Sequence, residues 1–247
     1  MATEIITKTL YGGDVLIDFY PKSHQYKLDG KRLQSVTSAL GVIGKPQLIY
    51  WSANMAADFL IECINDGRTI TTIEIEEARR KHTEKKNDAA ATGKLVHEWV
   101  ENYVKTGASE LPENEQVLNG VLAFLKWVKE HDVKFLSAER MVYSKSHKYV
   151  GTMDAEAYVD GKLCVVDYKT GKKIYPEARF QTSAYQKAAE EELEESGVGQ
   201  AYTGDRWIVR FDKETGEFEA EQFGDLEEDF ITFISAMTIK ARLKQLS

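Results

Sequence analysis

The chain has 247 residues, of which 43% are hydrophobic and 29% are charged, and its formal net charge is −8. These values are those of an ordinary soluble globular protein with enough residues for a large core. No apolar run approaches the roughly 20 residues of a membrane span, and the first residues lack the apolar core of a signal peptide. We therefore expect a cytoplasmic protein without a membrane partner. The acidic balance disfavours a protein that coats nucleic acid, but it leaves room for an enzyme with a local basic track.

Cysteine content excludes two kinds of metal site. Cys63 and Cys164 are the only cysteines and are far apart in the sequence. Two cysteines cannot supply a four-cysteine iron–sulfur cluster or structural zinc site within one chain. We expect buried, reduced thiols and no iron–sulfur cluster.

The N-terminal third mixes short strands with helices. Residues 14–28 read as two strands around Pro21, followed by a turn at Asp29-Gly30. Ser35 is the predicted N-cap of a short helix, and a second helix begins at about Pro46. Apolar residues recur at helical spacing in this second helix and predict a core face. They are Leu48, Trp51, Met55 and Phe59.

A basic helix follows. Thr72 is the predicted N-cap of a helix that opens with acidic residues and ends with basic ones, an order that favours the helix dipole. A solvated helix face and a phosphate-binding track explain these charges equally well. The basic residues are Arg79, Arg80, Lys81, Lys85 and Lys86.

The helical pattern continues over residues 88–105, where His97 and Glu101 share one face. A lone helical histidine is more often a hydrogen-bonded structural residue than a ligand. Another helix is predicted over residues 113–131. The pattern then changes to strands, at about residues 135–143 and in a hairpin over residues 151–169.

One face of the hairpin combines two acids with a lysine. With Asp160-Gly161 at the tip, counting outward along both strands places Asp154 opposite Asp167 as a non-hydrogen-bonded pair. Lys169 projects from the same face as Asp167. Because opposed like charges destabilise a hairpin, a bound Mg²⁺, Mn²⁺ or Ca²⁺ would explain the pair. A solvated strand face on which two acids align explains the hairpin alone equally well.

The opposite face of the hairpin and the C-terminal third complete an α/β pattern. Small and β-branched residues on that face suit packing beneath a helix. They are Ala155, Ala157, Val159, Cys164 and Val166. Pro176 opens a helix with Gln181 and Tyr185 on one face. Strands at residues 207–211 and 217–223 and a long amphipathic helix follow.

Four of these features occur in an order that resembles a known family. Helical His97, Asp154, the run Asp167-Tyr168-Lys169 and the helical pair Gln181-x-x-x-Tyr185 resemble the PD-(D/E)XK nuclease superfamily. Within it, the likeness is to RecB-like exonucleases, including phage-encoded enzymes and the mitochondrial genome-maintenance exonuclease. Two cysteines correspond to the branch without an iron–sulfur cluster.

The resemblance covers about residues 93–211 and extends less closely to His24-Gln-Tyr26 and Ser35-Val-Thr37. It implies an α/β fold with a restriction-endonuclease-like core, in which helices flank a central mixed sheet, plus an N-terminal helical elaboration. We expect a single nuclease domain over residues 1–247. Residues 1–72 would form the elaboration, and residues 73–247 the catalytic core and C-terminal helix.

The resemblance also implies a metal site. Asp154 and Asp167 would bind one or two Mg²⁺ or Mn²⁺ ions, assisted by the Tyr168 carbonyl and by His97. Glu156 lies on the same strand face nearer the turn and is expected not to touch the metal.

Further roles follow from the same resemblance. Lys169 would orient or deprotonate the attacking water and stabilise phosphate charge, since a lysine beside a metal has a lowered pKa. Gln181 and Tyr185 would support the site or contact DNA. Glu101 and Glu139 are candidates of lower rank for an extra carboxylate.

The function implied is a metal-dependent DNA exonuclease that hydrolyses phosphodiester bonds from strand ends, in phage or in recombination and repair. Alternatives are a structure-specific endonuclease and a non-catalytic DNA-binding module of the same fold. A single-strand-binding or annealing protein is a candidate partner. Candidate DNA contacts are Arg79, Arg80, Lys85, Lys86, Lys172 and Lys173.

Overall fold

The computed structural model describes residues 4–107, 110–197 and 202–246. The chain forms two compact units, one of residues 1–43 with 96–247 and one of residues 44–95. The single-domain organisation expected from the sequence stays a prediction. Across the described residues, no helix combines the length and the apolar character needed to cross a bilayer.

Ten strands and six α-helices make up the described chain. In order they are β1 (Ile6–Leu10), β2 (Val15–Tyr20), β3 (Gln25–Leu28), β4 (Lys31–Arg32), β5 (Gln34–Ser35), α1 (Val36–Leu40), α2 (Pro46–Asn65), α3 (Thr72–Thr106), α4 (Glu115–Glu130), β6 (Lys134–Ser144), β7 (Tyr149–Val159), β8 (Lys162–Lys169), α5 (Glu177–Ser196), β9 (Arg206–Phe211), β10 (Phe218–Phe223) and α6 (Leu226–Leu246).

The larger unit contains a six-stranded mixed sheet centred on β7. Strand β6 pairs antiparallel along one edge of β7. On the other edge, β8 pairs antiparallel with residues 155–159 and β5 pairs parallel with residues 149–150. Strand β9 runs parallel to β8, and β10 is antiparallel to β9. The expected α/β class with a mixed sheet flanked by helices is confirmed.

Helices cover both faces of this sheet because each face is apolar. On one face, α1, α5 and α6 pack over Tyr149, Met153, Leu163 and Val165 of the sheet. On the other, α4 and the end of α3 pack over the face predicted to be core, which comprises Ala155, Ala157, Val159, Cys164 and Val166. Helix α5 forms the crossover between the parallel strands β8 and β9, as such a connection requires.

The hairpin register follows from its turn. Asp160 and Gly161 have φ of 50° and 79°, the positive values that a two-residue turn of this type requires. The ladder then runs as predicted as far as the pair Ala155 and Val166. The next step would oppose Asp154 and Asp167, but the ladder ends before them. The direct pairing of the two aspartates in the sheet is therefore not observed.

The N-terminal segment contains more sheet than the expected helical elaboration. Strands β1 to β4 form a four-stranded antiparallel meander whose side chains pack on Met141, Tyr143 and Val150. Strand β1 was not predicted, because four of its five residues are exposed and give no apolar signal. The predicted turn at Asp29-Gly30 and the Ser35 cap of α1 are confirmed.

In the smaller unit, α2 begins at Pro46 as predicted. The cap of α3 lies one residue earlier than expected: the Thr71 hydroxyl accepts from the Ile73 amide, and the Glu74 carboxylate accepts from the Thr71 amide. Of the predicted apolar stripe on α2, only Phe59 is buried, whereas Leu48 is 49% exposed. Both cysteines of the chain are buried and free, as predicted.

Candidate metal centre

The candidate site lies beside a stretch of β7 that has a strand on one edge only. Strand β8 pairs with β7 as far as Ala155, and β5 pairs with Tyr149 and Val150. Within the described sheet, residues 151–154 therefore have no neighbour on this edge. Asp154 is the residue of this gap that lies next to the β7–β8 pairing.

Three potential ligands converge at Asp154. The ligand atoms of His97, Glu139 and Asp154 all lie within 4.8 Å of one another. Nδ1 of His97, from the last part of α3, is 3.5 Å from Oδ1 of Asp154. Helix α3 and strands β6 and β7 thus each contribute one side chain to a compact cluster.

An irregularity in β6 places Glu139 in this cluster. The register between β6 and β7 shifts by one residue between Phe135 and Ser137. Beyond the shift, Ala138 and Arg140 pair with Ala155 and Met153, so Glu139 stands opposite Asp154. Glu139 also has a φ of 51°, an uncommon conformation for a residue other than glycine. Neither the shift nor the φ value has a signal in the sequence, which explains the low rank given to Glu139.

Asp167 lies deeper, on β8. Its side chain is 1% exposed, and neither carboxylate oxygen has a hydrogen-bond partner among the described residues. Nζ of Lys169 is 2.5 Å from Oδ2 of Asp167, but outside hydrogen-bonding geometry, so the contact is an ion pair only. A buried carboxylate is costly unless a charged partner compensates it. Lys169 does so at Oδ2, whereas Oδ1 has no hydrogen-bond partner among the described residues.

A side-chain relay holds the ammonium of Lys169. Nζ donates to Oε1 of Gln181 at 3.1 Å, and Nε2 of Gln181 donates to the Tyr185 hydroxyl at 2.8 Å. Gln181 and Tyr185 lie one turn apart on α5, as predicted from their spacing. The relay orients Gln181 with its oxygen toward Lys169.

His97 and Asp154 shift each other's pKa. Burial raises the pKa of Asp154, but the imidazole of His97, the ammonium of Lys169 and the Tyr168 amide outweigh burial and lower it. Burial lowers the pKa of His97, but the carboxylate of Asp154 outweighs burial and raises it. The two groups therefore favour an imidazolium–carboxylate pair.

The other two carboxylates are harder to ionise. Burial, followed by repulsion from Asp154, raises the pKa of Glu139 from 4.5 to about 7. Burial also raises the pKa of Asp167, to about 6, with Lys169 opposing and Asp154 reinforcing the change. Burial lowers the pKa of Lys169, but Asp167 and Asp154 outweigh it, so the pKa is raised. The lowered pKa expected for Lys169 beside a bound metal stays a prediction.

These residues fit a divalent cation. His97, Glu139 and Asp154 offer an imidazole nitrogen and two carboxylates whose ligand atoms lie within 4.8 Å of one another. Asp167, predicted to be a metal ligand, does not belong to this group of three, and its Oδ2 is paired with Lys169. Carboxylates suit Mg²⁺ and Mn²⁺, and an imidazole in the set favours Mn²⁺. The raised pKa values of Glu139 and Asp167 are also those that a nearby positive charge would reverse.

The centre opens into a cleft with a volume of about 810 Å³. Asp154, Glu139, Gln181 and Tyr185 are among the residues that line it, whereas His97, Asp167 and Lys169 are not. Glu101 lines the same cleft and forms an ion pair with Lys105, so it stands apart from the His97 cluster. The cleft connects the candidate centre with the surface of the larger unit.

Glu156 lies outside the cluster, as expected. Both of its carboxylate oxygens accept from Nη1 of Arg140 at 2.9 Å, and the Tyr202 hydroxyl donates to Oε1 at 2.6 Å. Arg140 also pairs with Glu192. Glu156 thus belongs to a separate, mutually satisfied network.

The basic residues predicted to contact DNA are all exposed. Arg79, Arg80, Lys85 and Lys86 lie on α3 within the smaller unit, and Arg79 pairs with Glu76 at 2.7 Å. Lys172 and Lys173 follow β8 in the segment that leads to α5. Their DNA contacts stay predictions.

Comparison with known proteins adds no assignment. No family model matches the chain, and no curated protein matches it. Among solved structures, it is similar to one described as the crystal structure of SSO0001, with 14% sequence identity and a TM-score of 0.30, over 62% of this chain and 74% of that one. At these values the similarity supports no conclusion about fold or function.

Proposed function

We propose that this chain is a Mg²⁺- or Mn²⁺-dependent deoxyribonuclease that hydrolyses phosphodiester bonds from strand ends. The observation that carries the proposal is the buried ion pair of Asp167 and Lys169, which lies close enough to His97 and Asp154 for their charges to change the pKa of Asp167. A polar strand face that merely faced water would not bury a carboxylate–ammonium pair to this extent.

The residues divide the work of phosphodiester hydrolysis. Asp167, Asp154, Glu139 and His97 would hold the metal. A metal in such a site activates water and neutralises charge on the phosphoryl oxygens.

Lys169 supplies a positive charge at the same place. Because Asp167 and Asp154 raise its pKa, the ammonium is protonated at neutral pH and stabilises negative charge that develops on the phosphate. Oε1 of Gln181 accepts a hydrogen bond from the ammonium and orients it, and the Tyr185 hydroxyl, which accepts from Nε2 of Gln181, orients Gln181. Charge stabilisation and orientation of water are the roles that we propose for Lys169.

The substrate class rests on two arguments. The chemistry of the centre suits a phosphodiester, and the cleft is an open one of about 810 Å³ that suits an extended chain. DNA rather than RNA, cleavage from ends, and a place in phage or recombination DNA processing rest on the resemblance to RecB-like exonucleases.

The test is release of nucleotides from end-labelled linear DNA in Mg²⁺, Mn²⁺ and EDTA. We expect metal-dependent release by the wild type and a loss of about 100-fold or more in Asp167→Asn and Lys169→Ala. Glu98→Gln, an exposed acid in the same cleft, and Lys162→Ala, an exposed lysine on the same strand, are the matched controls and should behave as wild type.

Other outcomes separate the alternatives. Equal activity in all variants would refute the assignment of the site. Tight DNA binding without cleavage in any divalent metal would indicate a non-catalytic module instead. Cleavage of covalently closed circular DNA would indicate an endonuclease, since an exonuclease needs an end.

A further inference from the structure

A second cavity, of about 330 Å³, lies beside the cleft of the larger unit. The β3–β4 hairpin, the start of α1 and the end of α6 form its walls. His24, Arg32, Lys240 and Lys244 supply its charged or ionisable lining, and Tyr26 and Ser35 are among its polar residues. We call this cavity the basic pocket.

The basic pocket has no acidic lining. No described Asp or Glu contributes to its wall, although the chain as a whole carries a net charge of −8. Lys240 and Lys244 lie one turn apart on α6 and both line the basic pocket. A pocket wall with basic residues and no described acid suits an anion.

The basic pocket and the cleft of the metal centre share a wall. His24, Tyr26 and Ser35 line both cavities. The Tyr26 hydroxyl is 3.1 Å from Oγ1 of Thr152. Thr152 precedes Asp154 by two residues on β7, a separation of about 7 Å along a strand. A group held in the basic pocket is therefore a close neighbour of a group at the metal centre.

The ring of His24 is fixed on this shared wall. It makes edge-to-face contacts with Phe19 and Tyr26, with centroid distances of 5.3 and 5.8 Å. His24 itself has a φ of 47°, which turns the chain sharply between β2 and β3. A fixed imidazole, a serine hydroxyl and an arginine are donors of the kind that bind phosphate oxygens.

We propose that the basic pocket binds a phosphate group of the DNA strand whose scissile bond lies at the metal centre. The proposal rests on the proposed nuclease function and adds to it a point that fixes the strand. Arg32 from β4 and Lys240 from α6 neutralise the phosphate, and the shared wall of His24, Tyr26 and Ser35 sets the distance from that phosphate to Asp154. The basic pocket thereby selects which bond reaches the centre.

The test compares two double variants that remove the same charge. Arg32→Gln/Lys240→Gln removes two positive charges from the basic pocket. Lys31→Gln/Arg242→Gln removes two from exposed positions on the same elements, β4 and α6, that do not line it. Steady-state cleavage of single-stranded oligonucleotides in Mn²⁺ is measured over a range of salt concentrations, with 5′-phosphate and 5′-hydroxyl ends.

We expect the pocket variant to raise KM roughly tenfold or more and to leave kcat unchanged, because it removes charged hydrogen bonds made before and during reaction alike. The slope of log kcat/KM against log salt should become shallower by about 0.7 for each lost phosphate contact. The control variant should match wild type. If removal of the 5′-phosphate lowers kcat/KM in wild type but not in the pocket variant, the bound group is the terminal phosphate. If wild type has the same kcat/KM on both kinds of end, the bound phosphate is an internal one.

Two results would overturn the proposal, and they differ. If the pocket variant keeps the KM and salt slope of the control variant while wild type cleaves DNA, the basic pocket is not a phosphate site and the nuclease function stands. If wild type shows no metal-dependent cleavage, the nuclease function falls and the pocket proposal falls with it. Thermal unfolding verifies that the double variant is folded; if it is not, the single change Lys240→Gln is measured against Arg242→Gln.

Discussion

The backbone amide of Tyr168 donates a hydrogen bond of 2.7 Å to Oδ2 of Asp154. The bond spans the point where the β7–β8 ladder ends. It therefore replaces the direct pairing of strands by a contact between side chain and backbone. This bond fixes the carboxylate of Asp154 between Tyr168 on one side and His97 on the other.

Two substitutions at Asp154 should separate charge from hydrogen bonding. The amide oxygen of Asp154→Asn can still accept from the Tyr168 amide, whereas Asp154→Ala leaves that amide without its partner. We expect both variants to lose about 100-fold or more in cleavage rate. The unfolding free energy of Asp154→Ala should be lower than that of Asp154→Asn by about 1–3 kcal/mol. Wild-type activity in Asp154→Asn would show that the charge is not needed.

Tyr185 should act through Gln181 and not on the substrate directly. Tyr185→Phe removes the acceptor of the Gln181 amide, so Gln181 holds Lys169 less firmly. We expect kcat to fall several-fold with KM unchanged. Tyr149→Phe is the matched control, because the Tyr149 hydroxyl also donates a buried hydrogen bond to α5, to the carbonyl of Ala184 at 2.8 Å.

Both variants should lose about 1 kcal/mol of unfolding free energy, since each loses one buried hydrogen bond. Only Tyr185→Phe should lose kcat. If Tyr149→Phe lowers kcat as much, the effect comes from loosening of α5 and the relay is not responsible.

The register of the hairpin and the spacing of Gln181 and Tyr185 could be predicted from the sequence because both depend on local signals. The positive φ angles of Asp160-Gly161 fix the register, and helical spacing fixes Gln181 relative to Tyr185. Glu139 could not be ranked in the same way. Its place opposite Asp154 depends on a one-residue shift in pairing with another strand, which is decided by tertiary contacts.

The N-terminal sheet and the gap beside β7 could not be predicted from local sequence signals either. Strand β1 is exposed, and β5 has only two residues, so neither gives a periodic pattern. The opening at residues 151–154 exists because β5 and β8 stop short of each other on one edge of β7. Such an opening is a property of the assembled sheet and of no single segment.

Gly151 should be intolerant of any side chain. A Cβ at this position would stand 2.4 Å from Cε1 of Tyr185 and 3.1 Å from Cγ2 of Val36. Both neighbours are buried, so Gly151→Ala must displace the Tyr185 ring and with it Gln181. We expect a loss of about 1–3 kcal/mol in unfolding free energy and a fall in kcat at least as large as that of Tyr185→Phe.

The control for Gly151→Ala is Gly44→Ala, where an added Cβ meets nothing within 4 Å. Chemical denaturation and steady-state cleavage measure both variants. A Gly151→Ala protein with wild-type stability and rate would contradict the close packing of Tyr185 on β7.

The raised pKa of Glu139 predicts how stability depends on pH in EDTA. The pKa rises from 4.5 to about 7, mainly through burial, so between these values the folded chain binds more protons at this site than the unfolded chain does. Unfolding free energy contributed by this group is then fully present below about pH 4.5 and is lost as pH rises through 7. Asp167, whose pKa is raised from 3.8 to about 6, also lowers the unfolding free energy as pH rises, but over this lower pH range.

Glu139→Gln should therefore lose less stability than wild type between pH 5 and 7.5, and Glu98→Gln should follow wild type. Mn²⁺ should reverse the trend, because a metal binds the ionised carboxylate and must displace its proton. The rise in Tm on adding Mn²⁺ should be larger at pH 7.5 than at pH 5 in wild type and smaller in Glu139→Gln. If the stability of wild type and Glu139→Gln changes in parallel over this range, Glu139 does not ionise in the manner that its burial beside Asp154 predicts.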